Sequence, residues 1–178
     1  MRRFMISLFL PLILSACANS STVPGGGTGS PSPTIDQTRL GIYEAVVRHL
    51  AGSEEATWEK LYLRASICAN ADDAADPKDC DDAFAPDEQA SFVAGLADVA
   101  PVEFVDSYAD LGNRILTGKE RSVYVWVGPI DEGSGTIEVP GSMTCGGLCG
   151  TGSTWVVEPD GDAWKVTGPA PGAGVWIS

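Results

Sequence analysis

Histidine is almost missing from this chain: His49 is the single one among 178 residues. That scarcity excludes His-rich metal sites and argues against a triad centred on an imidazole. Bases are scarce as well, with 11 Lys and Arg against 24 Asp and Glu, a formal charge of −13. Nucleic-acid binding is excluded, because neutralising phosphates needs clustered Lys and Arg. No apolar run reaches the roughly 20 residues that span a bilayer as a helix. The longest, Phe4 to Leu14, is broken by Ser7 and Pro11. No repeat of fixed period is visible. Gly146, Gly147, Gly150 and Gly152 are followed by neither a Lys nor a helical pattern, so the phosphate-loop and dinucleotide fingerprints both fail.

What is present begins with an address. Arg2 and Arg3 form a basic start, Phe4 to Leu14 an apolar run, and Ser15-Ala16 a pair of small residues before Cys17. This order reads as a secretory signal. The stretch Leu14-Ser15-Ala16-Cys17 resembles the lipobox of bacterial lipoproteins. The resemblance implies a diacylglyceryl thioether on Cys17 and cleavage just before it, leaving residues 1–16 as the signal peptide. It also implies a bacterial cell envelope location and a membrane partner reached through lipid. Two acyl chains hold stably where one is marginal, at about 0.8 kcal/mol per buried CH₂.

Residues 17–37 read as the lipidated Cys and a tether. Pro24-Gly25-Gly26-Gly27-Thr28-Gly29-Ser30 and Pro31-Ser32-Pro33 cannot bury enough apolar surface to offset chain entropy. Residues 38–178 read as one domain, long enough for a core that buries roughly 70% of the unfolded surface.

Asp36 or Thr38 can cap a helix running to Leu50, with Tyr43, Val46, Val47 and Leu50 on one face and Gly52 as its stop. His49 lies beside that face and reads as a half-buried helix residue. From Trp58 to Cys68, Leu61, Leu63, Ala65 and Ile67 alternate with Lys60, Tyr62, Arg64 and Ser66, the pattern of a strand with one buried face. Pro86-Asp87-Glu88 opens a second helix with a stripe of Phe92, Val93 and Leu96. Residues 102–105 fit either a strand or a last turn. Val123–Val127, Thr136–Val139, Thr154–Glu158 and Asp162–Val166 read as strands, the last two forming a hairpin about Pro159-Asp160-Gly161, and Val175–Ile177 as an edge. Together these predict an α+β fold with two helices on one face of a curved antiparallel sheet. The order of elements suits a cystatin-like or NTF2-like cone. The run from Cys145-Gly146-Gly147-Leu148-Cys149-Gly150 through Trp164-Lys165-Val166 to Trp176-Ile177-Ser178 resembles the C-terminal part of uncharacterised exported bacterial proteins and implies nothing about activity.

With Cys17 lipidated, Cys68, Cys80, Cys145 and Cys149 remain for two disulfides in an oxidising compartment. Three pairings are open, and the nearest-neighbour one, Cys68 with Cys80 and Cys145 with Cys149, is preferred. The spacing of Cys68 and Cys80 departs from zinc-knuckle spacing, and Cys145 and Cys149 lack a redox C-x-x-C.

Between Asn70 and Glu88, Asp72, Asp73, Asp76, Asp79, Asp81, Asp82, Asp87 and Glu88 face the lone base Lys78. Dense carboxylates suit Ca²⁺, but the spacing is not an EF-hand loop, so a solvated acidic loop is expected, with Asp72, Asp73, Asp76, Asp79, Asp81 and Asp82 as the calcium alternative. No cofactor is expected otherwise. No catalytic set is legible. The function expected is therefore a membrane-anchored envelope lipoprotein whose domain binds a protein or glycan; Tyr124 and Trp126 fit either a concave binding face or, as aromatic strand residues more often do, the core. The alternative is an envelope hydrolase working through carboxylates such as Glu103 and Asp106.

Overall fold

The computed structural model describes residues 36–52, 57–69, 80, 82–116, 121–133, 135–146 and 149–178. The lipobox with Cys17, the tether as far as residue 35, and Asp72, Asp73, Asp76, Asp79 and Asp81 lie outside them.

Helix α1 spans Gln37–Ala51. Asp36 caps it, its carboxylate accepting from the amides of Thr38 (3.0 Å) and Arg39 (3.1 Å), which satisfies two of the orphan donors of the first turn. The four expected core residues are buried, and so are Leu40, Ile42, Ala45 and Ala51. The buried face is wider than one stripe because α1 is covered on more than one side. It lies across the strands β5 (Ser122–Val127), β6 (Ile137–Gly146), β7 (Cys149–Asp160) and β8 (Ala163–Pro169) and touches helix α2 (Pro86–Gly95). Two glycines permit the close approach. A Cβ on Gly41 would fall 2.6 Å from Cδ1 of Trp164 on β8, and one on Gly141 would meet Val46 and Leu50 of α1 at 3.2 Å.

The sheet has seven strands. Its order is β4 (Val102–Val105), β1 (Lys60–Arg64), β5, β6, β7, β8, with β9 (Trp176–Ile177) paired to the far end of β7. A separate two-stranded ribbon joins β2 (Ser66–Ile67) to β3 (Asp82–Ala83). From β5 to β8 the pairing is antiparallel, as expected. But β1 runs parallel to both neighbours, with Leu63 opposite Phe104 and Val125. The sheet is therefore mixed. Residues 102–105 are a strand, the outer one of the parallel set.

Parallel neighbours need crossovers, and crossovers cover faces. The step from β1 to β4 passes through α2. The step from β4 to β5 runs the other way along the sheet, through a 3₁₀ turn at Tyr108–Leu111 and the short helix α3 (Asn113–Leu116). Right-handed connections running in opposite directions cover opposite faces. Accordingly Phe92 of α2 joins the core under α1 with Leu61, Leu63, Val123 and Val125, while Leu111 and Ile115 pack on Tyr62, Tyr124 and Trp126. This overturns two expectations. Helical segments lie on both faces of the sheet, and β1 has two buried faces rather than one.

Other differences have local causes. Val93 is 45% exposed while Phe92 and Leu96 are buried; α2 turns Glu88 inward instead, where Arg39 and the amide of Ala85 hold its carboxylate. Strand β6 continues through Pro140 and Gly141, where a stop was expected. In a strand the N and C=O of one residue point to the same side, and the Pro140 carbonyl accepts from Gly128 on the β5 side (2.7 Å). The N–H that proline lacks thus falls where β5 has already ended at Val127. The β7–β8 hairpin turns at Gly161-Asp162, between the paired Asp160 and Ala163, one residue later than the sequence suggested.

The structure pairs Cys68 with Cys80 and Cys145 with Cys149, at Cα separations of 4.2 and 5.2 Å. Among the described residues, no helix is long and apolar enough to cross a membrane.

Candidate functional site

Concavities open on the described surface, and ion pairs run through them. The groove between α1, α2 and the β7–β8 hairpin, about 410 Å³, is lined by Glu44, Arg48, Ser91, Phe92, Asp162 and Trp164 among others. Arg48 clamps the two helices there. It donates to Glu44 (2.9 Å), to both oxygens of Asp98 (2.9 Å each) and to the Gly95 carbonyl at the end of α2. Its bond to Asp98 holds the Arg48 pKa above its usual value and the Asp98 pKa below.

A smaller hollow of about 270 Å³ includes Arg39, Tyr43 and Asp82. Arg39 bridges Glu88 and Asp82 (2.7 Å for the latter) and lies 5.5 Å from the ring centres of Tyr43 and Phe84. Burial opposes its charge, but the hydrogen bond to Glu88 and the two carboxylates outweigh that, and its pKa is raised. Burial pushes the Tyr43 hydroxyl up to about 12. Neither group changes charge near neutrality.

The third cleft, about 400 Å³, is lined by Glu59, Lys60, Tyr62, Glu103 and Arg114. Oε2 of Glu103 accepts from Lys60 Nζ (2.7 Å), and Oε1 forms a looser ion pair with Arg114 at 3.8 Å. Both oxygens are engaged. Asp106 is exposed on the bend after β4 and does not line this cleft. The expected carboxylate pair is therefore not brought together as an acid and a nucleophile.

The carboxyl ends of β1 and β4 differ from these concavities. Their crossovers leave toward opposite faces, which makes the place between them a topological switch point, where open sheets with parallel strands bind ligands. Arg64 ends β1 there, paired in register with Val105, the last residue of β4. It is 3% exposed. Its Nε donates to Ser66 Oγ (3.1 Å), one terminal nitrogen lies 3.9 Å from Cys80 Sγ, and the other has no hydrogen-bond partner. No carboxylate pairs with it among the described residues. One register step beyond the Leu63–Val125 pair, Trp126 follows on the same face of β5. It is 5% exposed, and its indole N–H is unpartnered. A buried guanidinium without a counter-charge is destabilising by several kcal/mol after relaxation, and an unmet buried N–H by about 1–3 kcal/mol.

Of the two readings of Tyr124 and Trp126, the structure gives the core. Tyr124 and Trp126 are buried beneath the 3₁₀ turn and α3, not displayed on an open face. A strand between two others, with a crossover above it, cannot present its side chains to solvent. Of the calcium candidates, Asp82 is described and its carboxylate is taken by Arg39; the other five lie outside the described residues. Among the described residues, no group of three or more metal-ligating side chains is assembled. His49 is exposed near the end of α1 rather than half-buried as expected; its ring lies edge-on to Trp155 at 4.4 Å, and partial desolvation lowers its pKa. Arg64 escaped the sequence reading because alternation assigned it to the solvent side. The missed signal was Tyr62 beside it, apolar bulk on what was taken as the exposed face.

Comparison with known proteins gives no matching family model, no matching curated protein and no matching solved structure.

Proposed function

We propose that this chain is a bacterial envelope lipoprotein, anchored through Cys17, whose folded domain binds a protein or glycan of the envelope and performs no catalysis. The anchor is supported by the order of basic start, apolar run, small residues and Cys at residues 2–17. The observation that carries the binding reading is the ion pairing at these cavities, Arg48 with Glu44 and Asp98, Arg39 with Asp82 and Glu88, and Glu103 with Lys60 and Arg114. Such groups recognise rather than react. Two disulfides in a compact domain fit an exported compartment. For the finer architecture we propose a cone in which α1 crosses the bent β5–β8 strands, in the cystatin-like or NTF2-like manner. The contacts of α1 with those four strands support it, and the parallel β4–β1–β5 set is this chain's own departure.

The anchor is tested by fractionation. Cys17→Ser should move the protein from membranes to the soluble fraction, and equal membrane retention would remove the anchor. The binding reading is tested by pull-down from envelope extract with the chain from Cys17 to Ser178. Specific capture of one envelope component supports it; turnover of a glycan without stable capture contradicts it.

A further inference from the structure

We infer that the carboxyl end of β1, on its β5 side and next to the switch point, is a binding site for a single oxyanion group, a carboxylate or a phosphate, held by the Arg64 guanidinium and the Trp126 indole N–H. The inference rests on the binding-domain reading and adds the chemistry of a ligand.

Three observations converge. First, Arg64 is a buried cation with one terminal nitrogen unpartnered and no carboxylate on it among the described residues. Its remaining donors are fixed: Nε is held by Ser66 Oγ at 3.1 Å, which orients the fork. Second, Trp126 lies beside it on the neighbouring strand, with a second buried and unpartnered N–H. A planar guanidinium and an indole can donate to the oxygens of one carboxylate or phosphate, and both donors lack an acceptor that such an anion would supply. Third, the carboxyl end of β1 adjoins the place where the connections from β1 and β4 diverge toward opposite faces, the position at which open sheets with parallel strands bind ligands. Around it Ala65, Ser66, Val105, Ser107 and Tyr108 are only half-buried.

The surroundings limit what fits. Asp106 is exposed beside the strand end, and Asp110 is engaged by the amide and hydroxyl of Ser107 (2.9 Å each). These carboxylates disfavour a polyanion and favour one compact anionic group on a neutral or positive body. Lys60, Glu103 and Arg114 belong to the other end of β1 and take no part.

The test is titration calorimetry of the full chain in detergent, in chloride buffer at constant ionic strength, with sodium acetate, sodium phosphate and further sodium chloride as separate arms. Saturable binding of acetate or phosphate, but not chloride, is expected, and the arm with the tighter affinity identifies the group. Arg64→Met should abolish it. Arg64→Lys retains the charge but loses the fork, and should weaken binding at least about tenfold, the worth of one charge-assisted hydrogen bond. Should Arg64→Met not fold, Arg64→Lys and Trp126→Phe carry the test. The inference is overturned by no saturable heat with either oxyanion, by equal heat with chloride, or by unchanged affinity in the folded variants. An envelope partner still captured in that event leaves the binding reading standing; its absence together with oxyanion binding would overturn that reading alone.

Discussion

Arg64→Met separates a structural arginine from one retained for a ligand. The substitution keeps an unbranched side chain of similar reach while removing the charge and its donors. It relieves one unmet buried N–H, about 1–3 kcal/mol, and the desolvated charge itself, and it forfeits the bond to Ser66, about 1.5–3 kcal/mol. With the charge relief of several kcal/mol included, the balance is a gain of at least about 1–2 kcal/mol. For a unit of this size about 1 kcal/mol shifts the melting temperature by roughly 2–4 °C, so Arg64→Met should melt about 2–8 °C higher in oxyanion-free chloride buffer. The order should then reverse. An anion at 100 times its dissociation constant adds about 2.7 kcal/mol to a protein that binds it and nothing to one that does not. Melting both proteins by calorimetry, with and without saturating phosphate or acetate, therefore gives two crossing results. A drop of several degrees for Arg64→Met in plain chloride would refute the reasoning, because it would mean that the buried guanidinium is already compensated within the fold.

Replacing Cys68 and Cys80 together by Ser opens a loop whose ends are 12 residues apart; chain entropy predicts a loss of about 3 kcal/mol, read as a lower denaturant midpoint, and an unchanged midpoint would contradict the pairing. Arg39 and Glu88 join α1 to α2 in a largely buried pair. A double-mutant cycle of Arg39→Met and Glu88→Gln should show a coupling of about 1–3 kcal/mol, whereas additive effects would show the contact to be idle. His49, the single histidine, is exposed yet partly desolvated beside Trp155, and its pKa is lowered from 6.5. As pH falls below 6.5 the unfolded chain takes up a proton that the folded one resists, so stability should decline in that window. His49→Gln should flatten the decline, and an identical slope in the variant would count against it.

The antiparallel half of the fold was legible in the sequence because its strands carry strong local signals. Val123 to Val127 is β-branched and aromatic throughout, and the hairpin near Gly161 is marked by turn residues. Helix α1 was legible through its apolar spacing and its Asp36 cap. The parallel set was not, since parallel pairing is decided by crossovers and leaves no alternation to read. Lys60 to Arg64 carries a half-polar pattern, yet both of its faces are covered, and the residues responsible, Leu111 and Ile115, lie about fifty positions away. Arg64 was hidden by the same long-range effect: only the fold places it at a strand end with Trp126 beside it. The disulfide pairs, by contrast, follow from short separations and were readable from spacing.

The most direct measurement is the indole N–H resonance of Trp126 in the ¹⁵N-labelled chain, assigned by its loss in Trp126→Phe. Addition of phosphate or acetate should shift this resonance downfield in a saturable way, and the shift should vanish in Arg64→Met. A resonance that stays in place while either anion is added, or that moves equally in Arg64→Met, would contradict a site formed by these two donors.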